Sequence, residues 1–281
     1  MGLTAAELVR GTVELVSLPE ALVRLNALVE DPRSTTEQIA RVIETDSALT
    51  ARLLRIVNSP FYGFPSRVES VRQAVSLVGM REIRDLALAT VVARVFEGIP
   101  PELMDMERFW RHSLLTGLVA RELARHRRDG AAESRFVAGL LHDVGKLLLA
   151  RQLPELARHA LARATYEQIP LPEAEREALG FDHAEVGGTL LEAWRLPEPL
   201  VVAARWHHAP ELAPELWRED ALVTHVANVM AHRDEPPPAP PQPLLAEDPW
   251  GRLGLDEAAA DEMLARAAEG LEAARALLFG S

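Results

Sequence analysis

The stretch from Phe136 to Leu149 restricts this chain more than any other. Its apolar residues, Phe136, Val137, Leu140, Leu141, Val144, Leu147, Leu148 and Leu149, fall on every side of a helical wheel, which predicts one helix buried all round. The same stretch carries His142, Asp143 and Lys146. Burying unpaired charge is costly, so these groups require partners close by. Two solutions exist. Asp143 and Lys146 can pair at i, i+3 with His142 hydrogen-bonded nearby, or a metal ion can neutralise the site.

Composition narrows what surrounds this helix. The chain has 281 residues, 48% of them hydrophobic and 26% charged, enough for one large core or two modest ones. Aromatics are 5% and alternating β-branched runs are missing, so the expected fold class is all-α: a multi-helix bundle with an N-terminal helical subdomain and a C-terminal helix. There is no cysteine, so any metal must be held by imidazole and carboxylate, which suits iron, manganese or zinc. The net charge of -12 argues against a nucleic-acid partner. No uninterrupted apolar run reaches membrane-spanning length, and the first residues lack a secretory pattern, so the expectation is a cytoplasmic protein with no membrane partner. Lys146 is the one lysine among 30 basic residues, which points to a need for a compact ammonium at that position.

In chain order, Thr4-Ala-Ala-Glu7, Ser34-Thr-Thr-Glu37 and Ser70-Val-Arg-Gln73 each match a capping box and predict helix starts. A helix from Ser47 must stop at Asn58-Ser59-Pro60, because the residue before proline avoids the α region. The loop Pro60-Phe-Tyr-Gly-Phe-Pro65 follows, its aromatics expected to pack onto the bundle. Gly79 should separate two helices. From Asp105 to Arg127, Phe109, His112, Thr116, Val119 and Leu123 recur at steps of three and four, placing His112 on a buried stripe. Asp182-His-Ala-Glu185 predicts a helix with His183 in its first turn, where the dipole favours neutral imidazole. Trp206-His207-His208 close another helix, where the dipole favours cations, and His225 and Asn228 share a face of the next. Six prolines between Pro236 and Pro243 read as a semi-rigid linker, ahead of one amphipathic helix from Glu257 to Leu278 that folds back on the body. The expected division is 1–104, an N-terminal helical part; 105–235, a helical core; 236–249, a linker; and 250–281, a C-terminal helical segment.

Each histidine has an ordinary structural explanation alone. Together, His112, His142, Asp143, His183, His207 and His208 lie on four consecutive helices, and imidazoles with a carboxylate between helices of a bundle make a metal site. Adjacent helical residues point ~100° apart, so His142 and Asp143 would either straddle one ion or serve two. Lys146, one turn on, would contact a phosphate if the chain is an enzyme.

These motifs resemble the HD superfamily, whose members are often metal-dependent phosphohydrolases. Ser17-Leu-Pro-Glu, Asn58-Ser-Pro-Phe-Tyr-Gly63 and Ala74-Val-Ser-Leu-Val-Gly79 ahead of the core are similar to the HDOD branch, the HD-related output domains of bacterial signal transduction. The resemblance implies an all-helical regulatory module, not catalytic, that acts through other signalling proteins and retains a metal or nucleotide-like ligand site, or none. It implies the metal set His112, His142, Asp143, His183, His207, His208 and Asn228. The related HD-GYP branch, which hydrolyses cyclic di-GMP, has an aspartate where this chain has Asn228, a Gly-Tyr-Pro segment where it has Ala209-Pro210-Glu211, and in some members a glutamate where it has Arg108. An amide compensates an ion less than a carboxylate, and an arginine there would repel a second cation. The alternative function is a metal-dependent phosphohydrolase of cyclic di-GMP or a nucleotide, with Asp143 and Lys146 in the catalytic roles.

Overall fold

A computed structural model describes residues 3–12, 18–59, 62–96, 98–235, 241 and 249–279. Its first part comprises α1 (Ala5–Arg10), α2 (Glu20–Glu30), α3 (Thr36–Glu44), α4 (Ser47–Val57), α5 (Val71–Val78) and α6 (Met80–Val95). Then come α7 (Met106–Arg127), α8 (Ala132–Leu141), α9 (Val144–Gln152), α10 (Pro154–Glu167), α11 (Leu171–Leu179), α12 (His183–Ala193), α13 (Glu198–Trp206) and α14 (Arg218–His232). The chain closes with α15 (Pro249–Arg252), α16 (Glu257–Glu269) and α17 (Leu271–Phe279). The protein is all-α as expected, with no strand among the described residues. No helix among them is long and apolar enough to cross a membrane.

The helices gather into two compact units, one of α1 with α7–α16 and the other of α2–α6 with α17. The division therefore falls just ahead of Gly98, not at 104/105. The single C-terminal helix is corrected to two, broken at Gly270: Ala260, Met263 and Ala267 of α16 are buried in a unit where it packs on α7 and α14, whereas α17 packs on α4 and α6. Glycine is a poor helix interior, and each half buries its apolar face in a different unit. Most of the proline segment, with Ser17, Pro60 and Phe61 of the motifs above, lies outside the described residues.

Caps set the helix starts. Thr4 and Glu7 form the expected box. At α3 the box is shifted by one, with Thr35 and Gln38 forming it, so Ser34 stands outside. The Asn58 side chain closes the loop after α4: its amide donates to Leu54 O and Val68 O, each at 2.8 Å, and its carbonyl accepts from Val68 N at 2.7 Å. Tyr62 and Phe64 are half-buried, their rings stacked 12° from parallel.

Two glycine contacts set the larger unit around the site. A Cβ on Gly139 of α8 would lie 2.7 Å from Gly117 Cα of α7, and one on Gly145 of α9 would lie 1.9 Å from His183 O at the start of α12. Both are backbone-to-backbone approaches that a side chain would prevent.

Candidate metal centre

The expected continuous helix over 136–149 is broken. It ends at Leu141 and restarts at Val144, with His142 as C-cap and Asp143, at φ −97° and ψ 9°, as the residue before the new helix. His142 Nδ1 donates to Gly139 O at 2.6 Å, and Lys146 N donates to Asp143 O at 2.9 Å, so both ends of the break are tied. The turn removes the ~100° separation of a regular helix. His142 Nε2 lies 3.3 Å from Asp143 Oδ2.

Five imidazoles surround the Asp143 carboxylate in two groups that share it. Oδ2 faces His142, His112 Nε2 at 3.8 Å and Lys146 Nζ at 2.5 Å. Oδ1 faces His183 Nε2 at 3.2 Å and His207 Nε2 at 3.5 Å, while His208 Nε2 approaches His183 Nε2 to 2.9 Å. Asn228 completes the first group, its Oδ1 2.9 Å from His112 Nε2. All the sequence-predicted site residues therefore meet. The Asp143–Lys146 pair and the imidazole cluster, posed in the sequence as alternatives, exist together.

The donor set fits a divalent cation on chemical grounds. His207 Nδ1 donates to Ala204 O at 2.8 Å, so Nε2 presents its lone pair to Asp143 Oδ1, and neither of these buried atoms has a hydrogen-bond partner. His142, with Nδ1 donating to Gly139 O, likewise turns Nε2 inward. Lone pairs facing a carboxylate oxygen repel one another unless a cation or proton lies between them.

Protonation follows from burial and charge. Burial pushes His112 and His207 down to about 3 and His208 well below its usual value. His207 and His208 are therefore neutral, which overturns a dipole-stabilised cation at the end of α13. Burial alone would raise Asp143, but His142, Lys146 and His183 together overcome it and hold the carboxyl well below its usual range. His183 departs from the expected neutral form: burial opposes its protonation, yet the Glu175 carboxylate, 2.5 Å from Nδ1, together with Asp143 overcomes burial and pushes it up to about 9. A metal at Nε2 must displace that proton.

Glu175 was not foreseen, because the sequence offered no reason to place α11 against the start of α12. Its Oε2 also accepts from His183 N at 2.9 Å. On His112, Nδ1 lies 2.7 Å from Glu235 Oε1, which is 3.0 Å from His232 Nδ1; Glu235 Oε2 accepts from Arg108 at 2.9 Å. Arg108 is thus paired, and its charge does not face the site alone. The spacing of His232 and Glu235 at i, i+3 was the available signal. His225 supports the site from behind, its Nδ1 donating to His207 O at 2.5 Å.

Glu175→Gln removes the anion that makes His183 a strongly basic ligand. Metal affinity, read by competition with a chromogenic chelator, is expected to fall by roughly tenfold to a hundredfold. An unchanged affinity would show that Glu175 does not tune His183.

The metal-free chain should lose stability in mild acid. His112 and His207 take up protons in the unfolded state near 6.5 but in the folded state only near 3, so their contribution falls as pH falls. Between about pH 7.5 and pH 5 the two together lose about 4 kcal/mol. His183 has a raised folded pKa, so its contribution is complete below 6.5 and is lost as pH rises through about 9. Over the same interval it returns about 1 kcal/mol. His208, His225 and His232 are lowered by burial too, so urea unfolding at the two pH values should show a net loss of at least about 3 kcal/mol, and equal midpoints would mean these imidazoles are not buried neutral.

Within this unit, a cavity of about 420 Å³ opens onto the cluster, lined by Asp143, Lys146, His183, His208 and His232 at the metal-ligand end.

An all-helical bundle with a His-Asp pair at a helix break, flanked by imidazoles from three other helices, defines an HD-type protein. The HDOD domain family model matches residues 15–210, and the chain belongs to that family. An uncharacterized protein of Treponema pallidum (strain Nichols) is 30% identical over 216 residues, 76% of this chain and 41% of that protein, so the chain spans about two fifths of its relative's length. An HDOD domain protein of unknown function from Geobacter sulfurreducens has the same fold, at TM-score 0.73 and 23% identity over 98% of each chain. A protein of Shewanella amazonensis SB2B with a provisional phosphohydrolase name matches at TM-score 0.66 and 26% identity, over 97% of this chain and 94% of the other.

Proposed function

We propose that this chain is a cytoplasmic signal-transduction output module that holds one divalent transition ion and acts by binding other signalling proteins, without turning over a phosphoester. The observation that carries this reading is the charge of the cluster. Among the described residues Asp143 is the one carboxylate shared by the two imidazole groups, Lys146 already pairs with it, and the further family position holds the amide of Asn228. One carboxylate suits one ion; two divalent ions would face strong mutual repulsion in a buried site. His142, Asp143, His183 and His207 supply the inward-facing donors, with His112 and His208 flanking. An ion held by these residues would supply Lewis acidity toward a bound water or anionic ligand.

The second reading, a metal-dependent phosphohydrolase acting on cyclic di-GMP or a nucleotide, is favoured by Lys146 on the cavity wall and by the name of the Shewanella relative. Elemental analysis of the purified chain together with a cyclic di-GMP turnover assay in Mn²⁺, Fe²⁺ and Zn²⁺ separates the two. The expected result is about one ion per chain and no turnover above the metal-only control, with Asn228→Asp raising metal stoichiometry toward two. Turnover by the unmodified chain that disappears in Asp143→Ala would sink the regulatory reading.

A further inference from the structure

The cavity beside the metal-ligand cluster has two chemically different ends. Its inner end is the cluster itself with Lys146, whose Nζ lies 2.5 Å from Asp143 Oδ2. Along α9, Leu149 lies ~4.5 Å beyond Lys146 in the direction of the helix axis. The outer end is walled by Leu103, Met104, Leu149, Leu161, Leu171 and Pro172. The polar groups beside it each have a local partner. Thr165 Oγ1 donates to Leu161 O at 2.9 Å, Asp105 Oδ1 accepts from Arg108 N at 3.0 Å, and Arg158 pairs with Glu155.

A nucleobase needs convergent donors and acceptors for its edge, since burying those groups unpaired is costly. Leu103, Met104, Leu149, Leu161, Leu171 and Pro172 bring no side-chain donor or acceptor for that purpose. An aliphatic chain loses nothing there and gains by leaving water. The inner end, by contrast, favours an anion, which Lys146 and a bound cation would attract.

We infer that the cavity takes an anion-headed amphiphile, a phosphate or carboxylate bearing an unbranched aliphatic chain of medium length, with its head at Lys146 and the metal centre and its chain among Met104, Leu149, Leu161 and Leu171. This rests on the reading of the cluster as a metal centre that responds to a ligand. The mouth lies at Leu161, which is 47% exposed while lining the cavity, so a substitution there reaches the ligand without opening a core.

Calorimetric titration of the full chain loaded with Mn²⁺ tests the inference, using inorganic phosphate, butyl, hexyl and octyl phosphate, octanoate, octanol and GMP. Affinity is expected to rise by about fourfold per added CH₂ from butyl to octyl phosphate. Octanoate should bind, inorganic phosphate should bind more weakly than butyl phosphate and so roughly a thousandfold or more below octyl phosphate, and octanol roughly tenfold below it. Leu161→Asp should weaken octyl phosphate by roughly tenfold with metal content unchanged. Affinity that does not change with chain length, or GMP binding that matches octyl phosphate, overturns the inference. Sedimentation with phosphatidate vesicles without binding of free octyl phosphate overturns it too, by assigning the head to a membrane surface. A chain that retains its ion but binds no alkyl phosphate refutes this inference alone; a chain that binds octyl phosphate yet retains no ion refutes the metal reading, and with it the placement of the head on the metal centre.

Discussion

Gly145→Ala is expected to destabilise the larger unit by about 3 kcal/mol or more, and to empty the metal centre with it. The added methyl would lie 1.9 Å from His183 O and 2.7 Å from Gly187 N, both backbone atoms that cannot rotate aside. Relief requires α9 and α12 to separate, and these helices carry Asp143 at the start of one and His183 at the start of the other. A shift of even an ångström pulls His183 Nε2 away from Asp143 Oδ1, now 3.2 Å apart, and from Glu175. The measurement is the urea midpoint together with metal content. A midpoint equal to that of the unmodified chain would mean the two helices have slack that their backbone contact denies.

Asp143→Ala is expected to weaken divalent metal binding by roughly a hundredfold or more, because one carboxylate serves both imidazole groups. The fold should tolerate this better than it tolerates Gly145→Ala. Removing Asp143 also frees Lys146, which is 19% exposed in its side chain and opens on the cavity, so the ammonium can turn toward water rather than remain buried alone. Asp143→Asn separates charge from shape: its one carbonyl oxygen keeps a single acceptor, toward either His183 or Lys146, and without the anion it should still lose most of the metal. Retention of stoichiometric metal by either variant would move the centre to the outer cluster of His112, His232 and Glu235.

Much of the larger unit was legible because capping and periodicity are local. Thr4, Asp105 and Asp182 each start the helix that their spacing announces, as Ser70 does in the smaller unit. His112, on a predicted buried stripe, is 6% exposed. Other features were illegible for definite reasons. The 136–149 run is apolar on all sides, so periodicity could not reveal the break at His142-Asp143. Nothing in the sequence near Glu175 announces a catalytic or binding role, and its role exists only because α11 packs where its carboxylate meets His183 eight residues later. The protonation of His183 was misjudged for the same cause: a helix dipole was weighed, but not a carboxylate at 2.5 Å.

By itself, the sequence determined the helical class, the residues of the centre and the absence of thiolate ligands, since these depend on residue type and on spacing within one or two turns. Tertiary structure alone decided that Asp143 turns one oxygen to each imidazole group, that Lys146 and the cluster share it, and which imidazoles are neutral. The reason is that ligand geometry and pKa depend on distances of a few ångströms between segments far apart in the chain. Those distances here rest on the bare backbones of Gly117, Gly139 and Gly145.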